Sequence, residues 1–198
     1  GVPFVDNPNM VVGGALSEVL EQKRLVLDNQ TGLFDYYTQW DRNKRRSIKG
    51  FKTNNRQELW ELRQFLHYLK GQQVAFYIPT FSKDLVPIQT LANASAVMNI
   101  SNIGYNKHAR EREPKVDIRI WLTNGTLLER TIVDSSIISS TEEQLTVDTT
   151  WPYDIEPEEI ERIEFIEKVR INVDDIIITH YNALGISKTF IPTKEVFD

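Results

Sequence analysis

The segment from Arg56 to Leu85 constrains the fold more than any other part of the sequence. Apolar residues recur in it at three- and four-residue intervals, which places them on one face of a helix. These residues are Leu59, Leu62, Phe65, Leu66 and Leu69. Asn54 or Asn55 can cap the start of this helix, and Gly71 is a typical stop. The VAFYI run that follows indicates a short buried strand, so the segment predicts one amphipathic helix at about 56–70 and then a strand.

A β-hairpin is predicted around the pair Asn124-Gly125. Before the pair, apolar and polar residues alternate, and after it the run TLLERTIV continues as a second strand. The apolar positions of the first strand are Val116, Ile118, Ile120 and Leu122. Because Asn-Gly readily adopts the positive φ angles of a tight hairpin turn, the two strands are expected to pair directly.

Other strand-like runs are spread over most of the chain. They include residues 23–28, LFDYYTQW, AVMNI, DDIIITHY and ISKTFIP. With about eight or nine short strands and one helix, the expected fold is α+β and β-dominated, an antiparallel β-sandwich or barrel with the helix packed on it. We expect a single domain over residues 1–198. Prolines, asparagines and Gly13-Gly14 predict an irregular N-terminal arm at about 1–15.

Composition excludes several classes of protein. The 40% of hydrophobic residues is ordinary for a globular protein and too high for an extended disordered one. A net charge of −5 argues against general nucleic-acid binding. The absence of cysteine removes disulfides and thiolate metal sites, and no apolar run reaches the ~18 residues of a membrane span. We therefore expect no nucleic acid and no membrane span.

Residues suited to catalysis or metal binding do not form a recognisable pattern. His67, His108 and His180 lie far apart, without ligand-like spacing. The adjacent acids Glu142-Glu143 and Asp174-Asp175 are typical of turns and surface charge. No motif of a nucleophile elbow, phosphate loop or zinc protease is present. We expect no enzyme activity, no catalytic residues, no metal and no cofactor.

One basic segment interrupts this otherwise acidic sequence between residues 41 and 52. Its cations are Arg42, Lys44, Arg45, Arg46, Lys49 and Lys52. A charge run of this kind is commonly a solvated strand face or loop. The alternative is an electrostatic docking surface for an acidic neighbour. Nucleic acid is the weaker partner because aromatic residues do not alternate with the cations.

Trp121 is the tryptophan most suited to an interface among Trp40, Trp60, Trp121 and Trp151. It falls on the polar face of a half-buried strand, whereas burial is the commoner use of tryptophan. Exposed tryptophans can also form a platform for carbohydrate.

The helix, the Lys-Gly pair and the Phe-x-x-Pro strand end resemble a segment in tail and baseplate structural proteins of tailed bacteriophages. The runs EQLTVD, PEEIERIEFIEKVRINVDDIIITHY and SKTFIPTKEV then follow in an order similar to that group. The resemblance covers about residues 50–196 and includes no catalytic signature.

The resemblance implies a virion structural protein, of the distal-tail or minor-tail kind, that acts by assembly. It also implies a ring-like homo-oligomer, trimer or hexamer, with other phage tail or baseplate proteins as partners. The expected location is the virion tail, after assembly in the host bacterial cytoplasm. Two alternatives stay open: a host-surface carbohydrate-binding module of a tail, and a tail-associated cell-wall hydrolase.

Overall fold

The computed structural model describes residues 18–21, 24–28, 34–38, 44–109 and 116–196. The chain forms two compact units. The first unit comprises Gly1–Tyr77 and Lys168–Asp198, and the second unit comprises Ile78–Glu167. The predicted arm at about 1–15 lies outside the described residues, and the single domain over 1–198 stays a prediction.

Strands dominate the described residues. The strands are β1 (Glu18–Glu21), β2 (Arg24–Asp28), β3 (Phe34–Thr38), β4 (Lys44–Thr53), β5 (Phe76–Pro79), β6 (Val97–Ser101), β7 (Asp117–Leu122), β8 (Leu127–Ile137), β9 (Glu142–Val147), β10 (Ile160–Ile171), β11 (Ile178–His180) and β12 (Ser187–Glu195). The helices are α1 (Arg56–Leu69) and α2 (Tyr105–Ala109), and a short 3-10 helix spans Pro157–Glu159. Ten strands belong to one antiparallel sheet, which confirms the β-dominated α+β class, and the described strands do not close into a barrel.

In the first unit, β4 and β12 form the centre of an antiparallel sheet. Strand β1 pairs with the other edge of β4, while β11 and the last residues of β10 pair with β12. Strands β2 and β3 pair with each other in a separate two-stranded antiparallel sheet. Alternate residues of the central strands are buried, and these include Phe51, Thr189, Ile191 and Thr193. The opposite face is therefore formed by the residues between them.

Helix α1 begins with the cap that its sequence favours and ends at Lys70, next to the predicted stop Gly71. The Asn55 side chain accepts a hydrogen bond from the Glu58 backbone N–H at 2.9 Å, and Glu58 Oε2 accepts one from the Asn54 N–H at 2.8 Å. Lys70 ends the helix in the left-handed conformation, with φ of 50°. Leu59 and Leu69 are buried. The predicted amphipathic helix at about 56–70 is confirmed.

The turn between β11 and β12 packs closely against the start of α1. Gly185 has φ of +95°, and a Cβ atom on it would lie 2.5 Å from the Arg56 backbone nitrogen. The Thr53 hydroxyl donates to the Gly185 carbonyl at 2.8 Å, and Arg56 Nε donates to the Ala183 carbonyl at 3.1 Å. Only glycine fits this position without displacing backbone.

The second unit is an antiparallel set of strands in the order β10, β7, β8, β9, β6. The predicted hairpin joins β7 to β8, with Trp121 opposite Leu127 and Gly125 at φ of +84°. Its core is a continuous cluster that includes Met98, Ile118, Ile120, Leu145, Trp151, Ile155 and Ile163. The Tyr105 and Phe165 rings stack within it, 6.0 Å apart, and burial raises the pKa of Tyr105 to about 12.

Four elements differ from the pattern-based expectation. The basic segment was left open between a strand face and a loop, and the structure makes it strand β4. Strand β1 has four residues and is too short to show an apolar alternation. The strand expected over DDIIITHY is confined to β11. Helix α2 adds a second helix to the single one expected. Twelve strands are thus described where eight or nine were anticipated.

Candidate interaction surface

Strand β4 divides the basic segment between two faces of its sheet. Arg46 and Lys52 are exposed on one face. Lys49 is only 4% exposed and lies on the other face, which Arg45 shares in a half-buried position. Lys44 is described through its backbone, which pairs with Glu21. The predicted Arg42 lies outside the described residues, so the segment contributes Arg46 and Lys52 to the exposed face.

A row of cations crosses three strands on this face. Lys194 on β12 lies directly opposite Arg46 on β4, and Arg170 on β10 lies directly opposite Lys194. Directly opposed side chains of an antiparallel sheet have Cβ atoms about 5 Å apart, and like charges there are destabilising. Lys194 Nζ donates a hydrogen bond to Gln72 Oε1 at 3.4 Å, and Gln72 Nε2 donates to Asp174 Oδ1 at 3.2 Å. Gln72 thus links Lys194 to the carboxylate of Asp174.

A second pair of like charges lies farther along the same strands. Lys52 on β4 is directly opposite Lys188 on β12. Lys52 lies six positions after Arg46, so the two groups of cations are about 20 Å apart along the strand. Lys188 Nζ lies 4.7 Å from the ring centre of Phe190, within the range of a cation–π contact.

Apolar side chains occupy the space between the two groups of cations. Ile48 is 43% exposed and Phe190 is 48% exposed, with Pro192 opposite Ile48. We call this surface the basic–apolar face. Its residues are Val19, Arg46, Ile48, Lys52, Arg170, Lys188, Phe190, Pro192 and Lys194. Exposed apolar side chains flanked by polar ones are typical of a protein interaction site.

Trp121 belongs to the second unit and has a different environment. Its indole Nε1 donates to Glu164 Oε1 at 2.6 Å, and the Arg162 guanidinium lies 4.9 Å from the ring centre. Arg162 Nε also donates to Glu164 Oε2, at 3.3 Å. Glu164 is fully buried. Trp121 is therefore a half-buried member of an ionic network, and a cation already covers part of its ring.

Charge is distributed unequally between the two units. The first unit has 15 Lys and Arg against 12 Asp and Glu, a formal charge of +3. The second unit has 8 against 16, a formal charge of −8. The densest acidic stretch is residues 154–161, with five carboxylates in eight residues and no cation. We call it the acidic segment. All five carboxylates, those of Asp154, Glu156, Glu158, Glu159 and Glu161, are exposed.

The acidic segment is held by local hydrogen bonds. Glu156 and Glu159 form a capping box around the short 3-10 helix, in which Glu159 Oε2 accepts from the Glu156 N–H at 3.0 Å. Asp154 Oδ1 accepts from the Asn93 N–H at 2.6 Å, and Thr90 donates to Glu156 Oε2 at 2.7 Å. The carboxylates are thus presented on an ordered backbone.

Within the described ranges, no group of three or more His, Asp or Glu side chains is placed to hold a metal ion. No helix in those ranges is long and apolar enough to cross a membrane. Comparison with known proteins found no matching family model and no matching curated protein.

The cations of β10 and β12 were missed by the sequence interpretation. Their signal was present in the run SKTFIPTKE, where Lys188, Phe190, Pro192 and Lys194 alternate with buried residues. The pairing register, which brings this run opposite β4, cannot be read from one sequence.

Proposed function

We propose that this chain is a structural component of a bacteriophage tail or baseplate, acting by self-assembly and by docking to other tail proteins. The observation that carries the proposal is the basic–apolar face, a surface of five cations around exposed Ile48 and Phe190. The resemblance over residues 50–196 indicates the kind of assembly, which is a phage tail or baseplate.

The physical argument concerns the free energy of this face in isolation. Opposed cations repel each other within the sheet, and exposed apolar side chains order water, so each feature raises the free energy of the single chain. A partner with carboxylates and apolar side chains relieves both terms at once. Such a face favours association with a partner and lowers the stability of a single chain.

The proposed assembly is a ring-like homo-oligomer, trimer or hexamer, located in the virion tail and built in the host bacterial cytoplasm. Other tail or baseplate proteins bind the ring. Charge complementarity supplies specificity and a fast encounter, while the apolar residues supply most of the affinity. The proposal includes no catalytic step and no cofactor.

Labelling of intact particles tests this proposal. An epitope placed on the chain in the genome that encodes it should bring gold-labelled antibody to one end of the tail, in the electron microscope. A second epitope on a capsid protein of the same particles controls for access of the antibody. Label confined to free protein, with unlabelled tails, contradicts the proposed location.

The carbohydrate-binding alternative is less well supported at Trp121. A sugar platform needs an open ring face, whereas the Arg162 guanidinium lies over this ring and Glu164 holds its N–H. Loss of glycan binding in Trp121→Ala, with Trp60→Ala unchanged, would restore that alternative. The hydrolase alternative requires turnover of peptidoglycan or polysaccharide that a single acid-to-amide change abolishes.

A further inference from the structure

We infer that the outer side of helix α1 binds an acidic oligosaccharide. Sugar rings pack on the exposed aromatic side chains of Trp60 and Tyr68, and a sugar carboxylate binds Arg63. This surface is separate from the basic–apolar face. It goes beyond the proposed function by adding a ligand, and a single chain can bind that ligand without assembly.

The outer side of α1 carries two aromatic rings in solvent. Trp60 is 59% exposed and Tyr68 is 54% exposed. Tyr68 lies eight positions after Trp60, so both rings are on one side of the helix and about 12 Å apart along its axis. Among the described residues, neither side chain has a hydrogen bond or a ring contact. A helix face that meets only water ordinarily carries polar side chains, so two exposed rings indicate a ligand.

Polar side chains occupy the space between the two rings. Gln64 lies one helical turn from each ring, and Arg63 and His67 are its neighbours at one edge. All three are exposed. The core of a protein interface is a continuous apolar area, which these polar groups interrupt. Separate rings with an amide between them suit a sugar chain instead, because an amide can donate to one hydroxyl and accept from another.

The turn between β11 and β12 extends this surface at the start of the helix. Arg56, one helical turn before Trp60, donates from Nε to the Ala183 carbonyl at 3.1 Å. The turn therefore lies beside the side of α1 that carries Trp60. Tyr181 and Leu184 in the turn are 65% and 67% exposed. A ligand longer than one sugar ring would find further apolar contacts there.

The charges beside the rings favour an acidic sugar. Arg63, His67 and Lys70 follow one edge of the outer side at intervals of four and three residues, and all are exposed. At the other edge, Glu61 accepts a hydrogen bond from Gln57 Nε2 at 3.0 Å. A carboxylate on the ligand is thus expected at Arg63, whose guanidinium can donate two parallel hydrogen bonds to it. Nucleic acid places a phosphate at every nucleotide, which the net charge of −5 opposes.

An array of oligosaccharides that contain uronic or sialic acids, each immobilised beside its methyl ester, tests for this ligand. The chain should bind at least one acidic oligosaccharide, and its neutral ester at least about tenfold more weakly, because the ester lacks the charge that pairs with Arg63. Single-stranded oligothymidylate in solution should not compete. The acidic oligosaccharide that binds best is then used in isothermal titration of the variants.

Substitutions on α1 separate the contribution of the rings from that of the charge. Trp60→Ala and Tyr68→Ala should each weaken binding about tenfold, because each removes a ring that packs against a sugar. Trp60→Phe keeps a ring and should keep most of the affinity. Arg63→Gln should weaken binding of the acidic oligosaccharide and leave binding of its methyl ester unchanged.

Matched controls remove the same groups from the second unit. Tyr153→Ala removes an aromatic side chain that is 42% exposed, and Lys83→Gln removes an exposed cation. Both should bind the oligosaccharide like the unchanged chain. All substituted residues are exposed, so circular dichroism should show that every variant is folded.

Several results overturn the inference. They are no binding to any acidic oligosaccharide, equal binding of acid and ester, and equal losses in Trp60→Ala and Tyr153→Ala. Loss in Trp121→Ala with Trp60→Ala unchanged places the sugar elsewhere and also overturns it. Competition by oligothymidylate assigns the surface to nucleic acid.

The outcomes for the sugar and for the tail are independent. Gold-labelled tails with a chain that binds no acidic oligosaccharide contradict the sugar surface alone. A chain that binds the oligosaccharide through Trp60 and Tyr68 but is absent from tails contradicts the proposed function alone.

Discussion

Arg46 and Lys194 lie directly opposite each other on β4 and β12, and both carry positive charge. Such a pair weakens the sheet that contains it. The same pair would strengthen the proposed contact with an acidic partner. Folding and assembly therefore place opposite demands on these two residues, and a single substitution can separate the two effects.

Lys194→Glu should stabilise the single chain while it weakens assembly. The change replaces a repulsive pair with an attractive one, so the free energy of unfolding should rise by about 0.2 to 1 kcal/mol. Urea denaturation at low ionic strength and low protein concentration measures it. Lys194→Gln should show a smaller rise, and the gain should shrink at ~1 M salt. A fall in stability would mean that another contact of Lys194 dominates.

Gly185→Ala should destabilise the first unit more than Gly125→Ala destabilises the second. Both glycines have positive φ, which costs about 1 to 3 kcal/mol for alanine. A Cβ atom on Gly185 would also lie 2.5 Å from the Arg56 backbone nitrogen, whereas a Cβ atom on Gly125 would have no such neighbour within 4 Å. The comparison of the two urea midpoints isolates the steric term. Equal losses would contradict the close packing of the turn against α1.

Glu143→Gln should lower stability by about 1.5 to 3 kcal/mol, because an amide replaces a carboxylate that accepts three backbone hydrogen bonds. Its oxygens accept from the N–H groups of Ile103, Tyr105 and Asn106, at 3.2, 3.0 and 3.1 Å. Glu142→Gln, next to it on β9, is the matched control and should change stability by less than ~0.5 kcal/mol. Thermal unfolding of the three proteins measures the difference.

Tyr105 should make the protein less stable in alkali between pH 10 and 12. Burial raises its pKa from 10.0 to about 12, so the unfolded chain loses the phenolic proton first. The folded state then binds more protons, and stability falls as pH rises through this window. As pH rises, the urea midpoint should fall less steeply for Tyr105→Phe than for the unchanged chain. Parallel slopes in the two proteins would contradict the raised pKa.

The local elements were predictable where one side-chain pattern dominates. The periodicity of α1 and its cap at Asn55 agree with the structure, as does the Asn124-Gly125 hairpin. In each case, the residues that decide the conformation are neighbours in sequence. Local propensity and the tertiary structure therefore agree.

The candidate surface was predictable only in part, because it depends on strand register. Arg46 and Lys52 were both included in the basic segment, but alternation along β4 moves Lys49 to the buried face. Their partners on β12 and β10 lie more than a hundred residues away in sequence. Glu143 was interpreted as surface charge for the same reason, since the N–H groups that it accepts from belong to another segment.

Sedimentation velocity of the purified chain tests the central claim, assembly through the basic–apolar face, most directly. The chain should form trimers or hexamers at low salt and dissociate as salt increases, because charge supplies part of the contact. Lys52→Glu with Lys188→Glu should sediment as a folded monomer under conditions where Arg63→Glu with Lys83→Glu still assembles. A face variant with the same mass as the unchanged chain would contradict the claim.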